Sequence, residues 1–152
     1  AALGGVGSST PGRPSRGRWD EILQSTLGLV ETLRGDYGAA ERHLELARCL
    51  AGRSPSADVL VKTAYLRQSQ GDWATSEALL RRALEADRDS PMALLRMGYL
   101  LMCRGELDRA TQFLQKCLLQ SSGTLAYGVA EKGMAHLYLC VAQHWRAAGA
   151  AG

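Results

Sequence analysis

His136, Cys140 and His144 recur every four residues near the C-terminal end. On a helix that spacing lines their side chains along one side. Imidazole and thiolate both bind zinc, but a structural zinc site closes with four ligands, and no fourth donor accompanies these three in sequence. They read as a stripe on a capping helix, and no metal is expected. The remaining cysteines, Cys49, Cys103 and Cys117, form neither a C-x-x-C pair nor a zinc-module spacing. All four cysteines fall in helical pattern, where a small apolar thiol packs, which predicts a reducing, cytoplasmic setting. Nucleophilic catalysis needs a nucleophile, a base and an orienting group brought together. Neither His43 nor the other two histidines has a Ser, Cys or acid beside it in such a signature. No glycine-rich phosphate loop follows a strand. The expectation is a protein that is not an enzyme, with no catalytic residue and no cofactor.

Composition says what kind of element must carry these residues. The 24 Leu and 22 Ala stand against 6 Val, one Ile and one Phe. Leu and Ala form helices, whereas strands favour β-branched and aromatic residues, so an all-α protein follows. No apolar run approaches the roughly 20 residues of a membrane span. The apolar start, Ala1 to Gly7, lacks a preceding charged region, so a signal peptide is not expected. The net charge of +3 is unevenly placed: Arg13, Arg16 and Arg18 precede the first acid, Asp20, and the chain beyond residue 18 balances 15 basic against 15 acidic residues. A nucleic-acid-binding body needs a clustered cationic face, and this charge balance argues against one.

Residues 1–18 read as a flexible Gly/Ser/Pro/Arg-rich leader, since such a stretch buries too little apolar surface to offset its ordering entropy. Residues 19–148 read as one repetitive domain. Three turns anchor it: Arg34-Gly35-Asp36, Gln70-Gly71-Asp72 and Arg104-Gly105-Glu106, with glycines 36 and 34 residues apart. Seven residues before each glycine stands a small residue (Gly28, Ala64, Gly98), five after it another (Ala40, Ser76, Ala110), nine after it a leucine (Leu44, Leu80, Leu114) and twelve after it Ala47, Ala83 or Cys117. A period of this length signals stacked helical hairpins. The glycine ends one helix in the left-handed region, Asp36 and Asp72 cap the next, and Glu106 caps less well. Ser56 starts the second hairpin, and Ser90-Pro91 the third. Helices are predicted over about 20–34, 36–51, 57–70, 72–87, 91–104, 106–120 and 124–147, the last beginning at Ser122 or Thr124. Its apolar residues Val129, Ala130, Met134, Leu137, Val141 and Trp145 are expected to seal the third hairpin, as the end of a solenoid requires.

These residues resemble the tetratricopeptide repeat family over about residues 21–122. The likeness is strongest in 91–120, where Leu94, Met97, Gly98, Leu101, Gly105, Ala110, Leu114 and Cys117 follow the family's order of large and small positions. Gln24, Glu31, Thr63 and Arg67 depart from it. Arg67 is expected to snorkel over the surface. The resemblance implies a right-handed α-solenoid of three hairpins (about 21–56, 57–90 and 91–123) plus a capping helix over 124–147. It also implies a binding scaffold whose concave groove is lined by the first helix of each hairpin. Carried over position by position, the groove residues are Ile22, Ser25, Leu29, Thr32 and Leu33, then Asp58, Val61, Tyr65, Gln68 and Ser69, then Met92, Leu95, Tyr99, Met102 and Cys103. The expected contacts are Leu29, Val61, Tyr65, Leu95, Tyr99 and Met102, with Lys62 and Arg96 steering acidic groups. The family's carboxylate clamp would fall on Ser25, Leu29, Lys62, Met92 and Arg96, of which only Arg96 matches, so chaperone tails are not expected ligands.

A protein or peptide partner, an amphipathic helix or an apolar extended segment, is the first expectation, with no membrane partner. The alternative is structural: a subunit or fragment of a longer array that stacks end to end or dimerises through its last helix, with the groove filled by the seventh helix or by a second subunit. A third, weaker reading is an adaptor whose Arg-bearing tail contacts phosphates.

Overall fold

The computed structural model describes residues 16–120 and 127–150. Among them run seven helices and no strand: α1 (Arg16–Arg34), α2 (Tyr37–Leu50), α3 (Ala57–Ser69), α4 (Trp73–Ala86), α5 (Pro91–Cys103), α6 (Leu107–Gln120) and α7 (Tyr127–Ala150). α1 pairs with α2, α3 with α4 and α5 with α6. Each hairpin stacks on the next, and α7 lies against α5 and α6. Most of the leader, the start of the seventh helix and its Ser122 or Thr124 cap lie outside the described residues. α1 begins at Arg16, four residues ahead of the expected start.

The three turns are built alike. Gly35, Gly71 and Gly105 have φ of 82°, 80° and 80°, a region open to glycine without a Cβ penalty. In each, the glycine N–H and the following N–H reach back to the helix, as with Gly71 to the Gln68 carbonyl at 3.0 Å and Asp72 to the Arg67 carbonyl at 2.8 Å. These two bonds satisfy carbonyls that the helix end would otherwise leave bare. Asp36 then accepts from Ala39 N–H at 2.9 Å and Asp72 from Thr75 N–H at 3.1 Å. Glu106 pairs instead with Arg109.

Small residues set how closely paired helices approach. A Cβ on Gly28 would sit 2.6 Å from Leu44 Cγ, and one on Gly98 would sit 2.7 Å from Leu114 Cγ. The second hairpin has Ala64 and Leu80 at these places, both fully buried. The register read from the sequence is buried in all three hairpins: Ala40, Leu44 and Ala47, then Ser76, Leu80 and Ala83, then Ala110, Leu114 and Cys117. A fully buried leucine contributes about 1.5–3 kcal/mol, so the repeated leucine anchors every hairpin. Arg67 lies over the surface as expected, bonded to Glu41 at 2.7 Å and to Gln70 at 2.8 Å.

Two expectations need correction. Cysteines do not all pack: Cys117 is buried, donating to the Pro91 carbonyl at 3.3 Å, but Cys49, Cys103 and Cys140 are exposed. The buried face of α7 is also rotated from the one expected. Ala135, Leu139 and Ala142 are buried, whereas Met134, Leu137 and Trp145 are exposed. The two alanines lie seven apart and let α7 approach closely, and Tyr138 stacks on Tyr99 with centroids 5.2 Å apart. The side chains of Val129 and Ala130 lie outside the described ones.

Candidate functional site

Along the inner helices lies a cavity of about 850 Å³. One wall is α1, through Arg18, Glu21, Ile22, Thr26 and Leu29. Leu50, Ala51, Ser54 and Ser56 close one side. Asp58, Val61, Lys62 and Tyr65 of α3 form the floor, with Met92 and Arg96 of α5 beyond, and Glu131 in the first turns of α7 ends it. Consecutive inner helices present their i, i+3 and i+4 positions to one groove, which is why residues so far apart in sequence converge.

Five of the eight expected contacts line this cavity: Leu29, Val61, Lys62, Tyr65 and Arg96. Val61 is buried in its floor. The other three do not line it, because α7 covers the third hairpin's share of the groove. Leu95 is buried with Ala135 and Leu139. Met102 is buried in a cluster that includes Ala142. Tyr99 lies between Trp73 and Tyr138, at centroid distances of 6.4 and 5.2 Å. Burial pushes the Tyr138 phenol above its ordinary value, against the opposing pull of Arg96. The Cys103 thiol first, and burial second, push Tyr99 in the same direction.

The charged lining is unequally engaged. Lys62 is tied into the wall: its Nζ donates to Asp58 Oδ2 at 2.7 Å, to Ser25 Oγ at 3.0 Å and to Thr26 Oγ1 at 3.3 Å. Arg96 is not held by a carboxylate among the described residues. Its guanidinium lies 3.8 Å over the Tyr65 ring, a favourable cation–π geometry, and its Nε is buried without a hydrogen-bond partner. Glu131, only 8% exposed, likewise has a buried Oε2 without a partner. An unpaired buried carboxylate oxygen is costly, so a ligand that supplies a donor gains there.

Glu131 was not among the residues expected from sequence. Its signal was faint but present: a lone acid four residues before Ala135, and so on the row that α7 buries. His136, Cys140 and His144 lie on the exposed side of α7. Among the described residues no group of three or more His, Cys, Asp and Glu comes together as a metal site. No described helix is long and apolar enough to cross a membrane.

Residues 67–127 match the family model for the tetratricopeptide repeat. None of the curated proteins compared with the chain matches it. Among solved structures, PilF of Pseudomonas aeruginosa is similar with a TM-score of 0.73 and 22% identity, over 86% of this chain and 55% of that one. The type III secretion translocator chaperone SycD of Yersinia enterocolitica is similar with a TM-score of 0.65 and 14% identity, over 82% of this chain and 84% of that one. The chain thus spans little more than half the length of the PilF chain. At these identities the likeness is one of fold, and the fold is the helical-repeat solenoid that the turn spacing implied.

Proposed function

We propose that the chain is a non-catalytic protein-interaction scaffold that holds an apolar peptide or amphipathic helix of a partner in the cavity between α1, α3 and α5. The observation that carries this reading is the cavity itself. At about 850 Å³ it falls within the roughly 300–1,000 Å³ of ligand sites, and Ile22, Leu29, Leu50, Val61, Tyr65 and Met92 give it an apolar lining. Arg96 and Glu131 add a free donor and a free acceptor at its far end. Together they favour a segment whose apolar side chains enter the cavity while a polar group bonds at that end. The likeness to a translocator chaperone is consistent with a fold that accommodates protein segments. The reading includes a reducing, cytoplasmic setting, in which exposed Cys49, Cys103 and Cys140 stay as thiols.

The contact set narrows to Leu29, Lys62, Tyr65 and Arg96 around the floor made by Val61, with Leu95, Tyr99 and Met102 acting through packing. A displayed library of apolar and amphipathic 15-residue peptides is the direct test. Peptides selected on the wild-type chain should lose at least about 1.4 kcal/mol, a tenfold affinity loss, on Leu29→Glu, with helical circular dichroism unchanged. Selected peptides that bind Leu29→Glu and Tyr65→Ala as tightly as wild type would remove the cavity as the site.

A further inference from the structure

The outer side of α1 carries an apolar stripe that none of the other described helices covers. The repeat register shows how unusual its exposure is. Twelve residues before the turn glycines stand Leu23, Val59 and Ala93; five before them stand Val30, Leu66 and Leu100. In the second and third hairpins all of these are buried, at 2%, 0%, 0% and 0% for Val59, Leu66, Ala93 and Leu100, because α3 and α5 seat them on the preceding hairpin. In α1 the same two positions are 55% and 42% exposed. Trp19 and Leu33 extend the stripe at either end, both more than half exposed. A contiguous exposed apolar face of this kind marks a protein contact.

The shape of α1 says what kind of contact. In the later hairpins the residues that correspond to 17–20 are the connecting segments 53–56 and 87–90. A hairpin joined upstream as these are would need residues 17–20 as its link, yet they are helix. The extra turn carries Trp19 and lengthens the stripe to Trp19, Leu23, Val30 and Leu33, with steps of four, seven and three residues and Thr26, at the cavity's edge, between Leu23 and Val30. That spacing keeps the stripe on one side of the helix, as a two-helix seam requires. Asp20, Leu27 and Arg34 recur every seven residues along its flank. Run antiparallel to a copy of itself, this helix sets Trp19 against Leu33, Leu23 against Val30 and Asp20 against Arg34. Asp20 has no ion-pair partner among the described residues, and Arg34 has only Glu31 at 3.2 Å on its own helix.

We infer that two copies of the chain associate through a twofold antiparallel α1–α1 contact. A closed twofold pair needs only one self-complementary patch, and this stripe supplies the apolar seam and the matching charges together. The third hairpin's own stacking face is closed, because α7 lies over it.

Sedimentation equilibrium on the full chain across a concentration series tests the contact. The wild-type chain should reach twice the monomer mass, and Leu23→Glu should remain monomeric with unchanged helical circular dichroism. Asp20→Arg and Arg34→Asp should each weaken self-association at least threefold, since each sets like charges opposite one another. The double variant should recover the loss, because within a twofold pair it restores opposite charges. A wild-type chain that stays monomeric at its highest soluble concentration overturns the proposal. So does a dimer that Leu23→Glu leaves intact, or a double variant no better than the singles.

Discussion

At the scale of single residues, the turn glycines and the small positions do different work. Gly35, Gly71 and Gly105 are required by backbone conformation, whereas Gly28 and Gly98 are required by a neighbour. The helical backbone at Gly98 would accept any residue but proline, and alanine would gain up to about 1 kcal/mol of helix propensity there. Against that, a Cβ would lie 2.7 Å from both Cγ and Cδ2 of Leu114, a side chain with no exposed surface to retreat into. Overpacking a close contact costs about 1–3 kcal/mol, so the clash outweighs the propensity gain. Gly98→Ala should lower the chemical denaturation midpoint by an amount equivalent to about 1–2 kcal/mol; an unchanged or raised midpoint would mean that α5 and α6 separate freely. Both classes of glycine were legible in the sequence because each recurs at a fixed offset. Glu131 was not, because its role depends on the rotation of α7 about its own axis, and no repeat fixes that.

At the scale of elements, the hairpins were legible nearly to their ends, while the docking of α7 was not. Both sides of α7 carry apolar residues: Ala135, Leu139 and Ala142 on the buried one, Met134, Leu137 and Trp145 on the exposed one. A 3.6-residue period cannot choose between two such stripes. Small residues chose, because they permit the closer approach. The start of α1 likewise lies four residues ahead of the expected one, since Arg16, Gly17 and Arg18 read as leader by composition. Contacts between hairpins also include ionic ones invisible to periodicity. Glu77 of α4 pairs with both Arg104 at the end of α5 and Arg81 of its own helix. Arg104 first, and then Arg81, hold its carboxyl below the ordinary value of 4.5. A carboxyl with a depressed folded-state value stabilises the fold fully above its unfolded value, and that contribution disappears as pH falls through the folded value. Melting temperatures of wild type and Glu77→Gln should therefore differ at neutral pH, by the equivalent of about 0.5–1 kcal/mol for a partly screened network, and converge well below pH 4.5. A gap that persists in strong acid would assign the effect to packing of the side chain.

At the scale of the whole molecule, the stack of hairpins makes stability a sum over neighbours, and this bears on how much of the groove is open. α7 packs on α5 and α6, and there it covers Leu95, Tyr99 and Met102, while Leu29 and Tyr65 face the cavity. Ala142 is the contact to break, being fully buried in the cluster that holds Met102. An arginine there would bury an unpaired charge and overfill the site, at a cost of about 3 kcal/mol or more. If the array behaves as coupled neighbours, Ala142→Arg should release α7 and speed amide hydrogen exchange in α7, α5 and α6, while α1 and α2 keep wild-type protection. The released variant should also expose the apolar surface around Tyr99 and Met102, read as increased binding of a hydrophobic dye. Uniform acceleration through all seven helices would instead show that the domain opens as one cooperative unit. The covered end of the groove would then be a fixed part of the core, and α7 could not uncover it without unfolding the chain.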